Sequence, residues 1–165
     1  MKKYIYSSLF IAVALLAGCS KSEPEPEPAE QVIGSYAVDK VTIALKYDNS
    51  PIEEAQSFIF PYKSSQGELT AVMDVTKSAS NIVTLTYVET FKPITGSSQK
   101  TTDVYTNIEL KKSETTPGVF DLFNAGIKSG TIGSGTILYD DITNSKDSLG
   151  RAFKFTYRVS GKKAQ

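Results

Sequence analysis

Apolar and polar residues alternate in short runs from Val32 to the C-terminus, and the runs are rich in Val, Ile, Thr, Tyr and Phe. Clusters of Gly, Pro, Asn and Ser separate them. A period of two belongs to strands with one buried face, and closely spaced turn signals belong to antiparallel sheets. Eight strands are predicted. The first spans Gly34 to Tyr47, with Tyr36 and Val38 on one phase and Val41, Ile43 and Leu45 on the other; the change near Asp39-Lys40 predicts a bulge. After a turn at Asp48-Asn49-Ser50-Pro51, Ile52 to Ser57 has room for one short helical turn, and Ser57 to Tyr62 forms a second strand around Phe58 and Phe60. Leu69, Ala71, Met73 and Val75 mark the third strand, and Val83, Leu85 and Tyr87 the fourth. A long loop, Lys92 to Lys100, leads to the fifth, with Val104, Thr106, Ile108 and Leu110. The sixth carries Phe120 and Leu122 after a turn at Thr116-Pro117-Gly118, and the seventh runs from Ile127 to Tyr139. In the last, Arg151 to Val159, the residues Phe153, Phe155, Tyr157 and Val159 face inward and Lys154, Thr156 and Arg158 face solvent. This density of tight-turned strands fits an all-β fold, an antiparallel eight-stranded up-and-down barrel that closes its own edges; a two-sheet β-sandwich is the alternative.

The first thirty residues follow different rules. Met1 to Gly18 has a basic start at Lys2 and Lys3, an apolar body and a small-residue end, the plan of a secretory signal, and its apolar part is too short to span a bilayer. Leu16-Ala17-Gly18-Cys19 resembles the lipobox of bacterial lipoproteins. That resemblance implies cleavage before Cys19, diacylglycerol on its sulfur and acylation of the new amino terminus, a palmitate-type anchor to the outer membrane of the cell envelope. Ser20 to Glu30 then reads as a Glu/Pro tether, extended because alternating Pro denies it helix and sheet, and reaching roughly 30 Å. The acidic tract is similar to the surface-export signals of Bacteroidota lipoproteins, and a plain spacer has the same composition. The chain therefore divides into a signal at 1–18, a lipidated tether at 19–31 and a barrel domain at 32–165.

Charge and composition narrow the chemistry. Eighteen basic residues balance eighteen acidic ones, with no basic patch, so no nucleic-acid partner is expected. Histidine is absent, which removes Ser-His-Asp and Cys-His catalysis and imidazole ligation of zinc or haem. Cys19 is the single cysteine, so no disulfide staples the domain. Glycines from Ser129 to Thr136 lack the lysine and helix of a phosphate loop and read as relief of crowding between backbones. Asp140, Asp141, Asn144 and Asp147 are the best candidates for calcium, but they read better as a solvated turn. Ser97-Ser98-Gln99-Lys100 has the spacing of an acyl-serine motif without its partners, and Glu53-Glu54 is a carboxylate pair with nothing to place it in a cleft. Neither a cofactor, a metal nor an enzymatic activity is expected.

Val32-Ile33-Gly34-Ser35-Tyr36 resembles the Gly-x-aromatic opening of lipocalin-like domains, with Tyr36 where those usually carry Trp. The resemblance implies a barrel whose closed end is plugged by Tyr36 and whose mouth accepts a small apolar or amphipathic ligand. Inward aromatics, Phe153, Phe155, Tyr157 and Tyr87, are the expected lining. Their bulk favours a filled or nearly filled interior, and a barrel of this size also has room for one small ligand. The alternative function is contact with an envelope protein or glycan through Lys92 to Lys100, with Tyr47, Tyr62 and Tyr105 as exposed aromatics.

Overall fold

The computed structural model describes residues 25–164; the expected signal and Cys19 lie outside the described residues. A short helix, α1 (Pro28–Val32), precedes ten strands: β1 (Gly34–Tyr47), β2 (Glu53–Ile59), β3 (Tyr62–Ser64), β4 (Gly67–Ala79), β5 (Ile82–Pro93), β6 (Gln99–Lys112), β7 (Val119–Asn124), β8 (Ile127–Gly133), β9 (Thr136–Lys146) and β10 (Ala152–Lys163). Eight of them, β1 and β4 to β10, form a closed antiparallel up-and-down barrel. Closure comes from β1, whose first residues pair with β4 (Tyr36 opposite Met73) while Tyr36 to Tyr47 run beside β10.

The two ends of this barrel differ. At the lower end, where α1 sits, the wall is complete and the interior is solid: Tyr36, Met73, Val75, Val83, Leu85, Ile108, Leu110, Phe120, Leu122, Ile132, Ile137 and Val159 are all buried. Each such side chain contributes roughly 1.5–3 kcal/mol. Ala29 and Val32 of α1 are fully buried against this floor, the Ala29 N–H donates to the Ser80 carbonyl at 3.0 Å, and the Tyr36 hydroxyl donates to the Val32 carbonyl at 2.7 Å. Glu27 and Glu30 both reach Lys77, and Glu25 reaches Lys112. The expected boundary at residue 31 therefore cuts through a helix that belongs to the barrel. Alternating Pro ends at Pro28, which occupies the first helical turn where a missing N–H costs nothing, so the chain becomes free to coil there.

The bulge at Asp39 is present, with the register to β10 slipping between Val38 and Lys40. Other expectations need correction. The segment 52–57 lies mostly in strand β2 and is not a helical turn, and the strand expected at Ser57 to Tyr62 is split into β2 and β3, which lie outside the eight-stranded wall. The long seventh strand is a hairpin, β8–β9, turning at Ser134 and Gly135 with both φ positive (52° and 74°), the combination that matches strand twist. These two departures offset each other, so the count of eight wall strands stands. The loop at Lys92 to Lys100 shrinks to 94–98, and the turn at Asp140 to Asp147 to 147–151, because the flanking strands run further into them. On β6 a second bulge intervenes: Val83 pairs with Ile108 but Leu85 with Tyr105, and Asn107 takes a φ of 58°. The phase flips there, so Val104 is exposed and Tyr105 faces the lumen. Thr156, expected to face solvent, is buried between its register partners Ala44 and Ile142.

Candidate functional site

The upper half of the barrel is wider and partly hollow, for two reasons of strand length. Above Ala37, β1 and β4 part company, and the chain between them descends as β2 along β1 and returns as β3 along β4. This wedge ends at Phe60, which is buried and whose N–H donates to the Asp39 carbonyl at 2.9 Å, so the bulged residue that bends β1 also seats the wedge. On the opposite side β7 and β8 are short. They pair with β6 only at 109–112 and with β9 only at 136–139, which leaves the upper parts of β6 and β9 without a strand between them.

Under the wedge lies a cavity of about 330 Å3 lined by Val41, Ile43, Phe58, Phe60, Tyr62, Leu69, Glu89 and Tyr157. Seven of these are apolar or aromatic, and Glu89 is the single charged one. It occupies the inward phase of β5, where Val83, Leu85 and Tyr87 precede it. Glu89 Oε1 accepts hydrogen bonds from the Tyr87 hydroxyl at 2.5 Å and the Tyr157 hydroxyl at 2.9 Å. The two hydroxyl oxygens are 3.0 Å apart, but each has one proton, and with both protons on the carboxylate none lies between them. The rings meet edge to face with centroids 5.9 Å apart. Burial, and then the bond to Glu89, raises the Tyr87 phenol far above its ordinary value. Burial pushes Tyr157 up to about 12, Tyr87 pulling it down and Glu89 pushing it further. Both phenols therefore act as neutral donors, and no hydrogen bond from the described residues reaches Glu89 Oε2.

Behind Tyr157, at the gap between β6 and β9, a second hollow of about 370 Å3 is lined by Asp103, Val104, Tyr105, Asp141, Phe155 and Tyr157. Here side chains bridge what backbone does not: the Tyr105 hydroxyl donates to Asp141 Oδ2 at 3.3 Å, and the Tyr105 and Tyr139 rings lie 4.8 Å apart. Burial pushes the Tyr139 phenol up to about 12, with Asn124 donating to its oxygen at 3.3 Å and opposing the shift. A third hollow, about 430 Å3, lies beside β9 where β8 has turned away, between Asn124, Ile127, Asp140, Ile142 and Lys154.

The aromatics expected to line the interior separate. Tyr157 lines both lumen hollows, Phe155 lines the second, and Tyr87 is buried beneath them with its hydroxyl toward Glu89. Phe153 stands at the rim, edge-on to Tyr47 at 5.8 Å, and lines neither. Of the aromatics expected on the outside, Tyr62 is 46% exposed, whereas Tyr105 faces inward. Glu89 escaped the reading of β5, although an acid on the inward phase of Val83-Leu85-Tyr87-Glu89-Phe91 is a visible anomaly. The aspartates considered for calcium diverge: Asp140 faces out and takes both arms of Arg158 at 2.7 Å, Asp141 faces in, and Asp147 caps the last turn through Leu149 and Arg151. Among the described residues no three potential metal-ligating side chains gather. Gly130 and Gly133 do approach neighbouring backbone; a Cβ at the first would lie 2.0 Å from the Leu138 carbonyl oxygen. Compared with protein-family models, curated proteins and solved structures, the chain matches none.

Proposed function

We propose that this is a lipid-anchored, non-enzymatic binding protein of the bacterial envelope, held by acylated Cys19, that carries a small apolar or amphipathic molecule in the upper lumen. The observation that carries the reading is the contrast between a solid floor and a cavity of about 330 Å3 above it, walled by Val41, Ile43, Phe58, Leu69 and Tyr157. That volume falls at the lower end of small-ligand sites, which are characteristically apolar with a few placed polar groups. Affinity comes from burying apolar ligand surface at about 25 cal/mol per Å2, and orientation from Glu89.

The test is titration of the mature chain with the neutral dye N-phenyl-1-naphthylamine. Saturable binding is expected, and Leu69→Trp, which fills the cavity, lowers it at least tenfold while the far-ultraviolet circular dichroism is kept. A second reading, an interaction module without a ligand, draws on the mouth loops, where Ile52, Ile94 and Leu149 are 69%, 72% and 76% exposed. Exposed aliphatic tips on three separate loops suit contact with an envelope partner. Absence of saturable dye binding would overturn the ligand reading in favour of this one.

A further inference from the structure

The lumen combines two features that apolar ligands alone do not require. One is a carboxylate, Glu89, on the wall of an otherwise apolar cavity. The other is the way its oxygens are used. Two phenols that donate to Oε1 fix the carboxylate in place, and Oε2 is left without a donor among the described residues. Glu89 is half-buried and Oε2 is not among the buried unpartnered atoms of the described residues, so it is accessible to a donor arriving in the lumen. The ion pairs of the described residues all lie elsewhere, and none involves Glu89. Asp103 and Asp141, which line the adjoining hollow, are likewise absent from those pairs, so the lumen presents carboxylates that no cation among the described residues pairs with. A neutral head group would gain a hydrogen bond there, whereas an anionic one would meet like charge.

We infer that the ligand of this cavity is a cationic amphiphile, an alkyl or aryl amine whose protonated nitrogen donates to Glu89 Oε2 while its apolar part lies against Val41, Ile43, Phe58 and Leu69. This deepens the proposed function and rests on it. The phenols complete the device. Because burial and the bonds to Glu89 hold them as neutral phenols, they donate to Oε1, add no negative charge and leave Oε2 to the amine. Phe58 and Tyr62, whose rings meet edge to face at 6.2 Å, close the cavity on the wedge side and offer π surface to a positive group entering from the mouth.

The experiment uses three ligands matched in length, decylamine, decanol and decanoate, each displacing N-phenyl-1-naphthylamine from the mature chain at pH 7. The amine is expected to bind at least tenfold more tightly than the alcohol, as a charge-assisted bond exceeds a neutral one. Decanoate is expected to be the weakest of the three. Glu89→Gln keeps an oxygen for both phenols and removes the charge, so amine affinity is expected to fall to that of the alcohol while the alcohol is unaffected. Should that substitution unfold the chain, Glu89→Asp withdraws the carboxylate by one methylene and is expected to reduce the amine preference several-fold. Equal binding of amine and alcohol by the wild type, or a preference that survives Glu89→Gln, overturns the inference and leaves the cavity reading standing. Failure of all three to displace a dye that binds saturably also overturns the inference alone, whereas absence of saturable dye binding overturns both.

Discussion

Individual residues set the geometry of this barrel where backbone must come unusually close. Gly130 has a φ of 150° and sits against the Leu138–Tyr139 backbone, and Gly133 stands nearly as close to Gly118 and Val119. Gly130→Ala would force a methyl into the carbonyl oxygen of the paired strand, so β8 and β9 would have to separate. The expected loss is about 3 kcal/mol, in keeping with other substitutions at strained or overpacked positions, read as a lower urea midpoint at unchanged slope. Gly126→Ala is the control, since nothing lies within 4 Å of a Cβ there, although its φ of 79° carries a smaller strain. The sequence shows the glycines and suggests a close approach, but it does not say which strand approaches. That depends on the β8–β9 hairpin, whose turn is carried by Ser134-Gly135, a pair less emphatic than Asn-Gly.

At the scale of elements, α1 and the wedge are the two additions that convert a plain barrel into one with a floor and a mouth. Their legibility differs. Wall strands are legible where one face is buried and alternation survives, as at Ala71-Met73-Val75 of β4 and Val83-Leu85-Tyr87 of β5. The wedge is poorly legible because β2 is exposed almost throughout, so its polarity pattern carries little information about which way it faces. The bulge at Asn107 inverts Val104 and Tyr105 for a related reason: β6 alternates on both sides of a single inserted residue, and either phase looks regular in isolation. α1 was hidden inside what looked like a tether, since five residues are too few for a helical period to register. Its hold on the barrel comes from Ala29 and Val32 and owes little to its charges. Val32→Ala is expected to cost about 2 kcal/mol through lost burial and the void left behind. Lys77→Ala, by contrast, breaks contacts to two exposed glutamates and should leave the thermal midpoint nearly unchanged, with any remaining effect gone at high salt.

For the whole molecule, the tyrosines determine how stability responds to alkali. Tyr139 and Tyr157 hold their protons to about 12 in the folded barrel against an ordinary value of 10.0, and Tyr36, Tyr87 and Tyr105 are raised as well. Below pH 10 both folded and unfolded chains keep these protons, and the contribution is fully present. Between about 10 and 12 the unfolded chain releases protons that the folded chain retains, so stability falls as pH rises through that window. Tyr139 alone, 1% exposed, accounts for on the order of 2 kcal/mol. The urea midpoint is expected to be level with respect to these groups from pH 7 to 9 and to fall from pH 10 upward, with a shallower fall in Tyr139→Phe. A last consequence concerns direction. The described chain enters at Glu25, beside Lys112, at the solid end of the barrel, and the hollow opens at the other. Five residues separate Glu25 from Cys19, and fully stretched they and the adjoining bonds reach no more than about 20 Å. Anchored through Cys19, the protein would stand on the membrane like a cup on its base: its cargo would be loaded from the aqueous side, not drawn out of the leaflet beneath it.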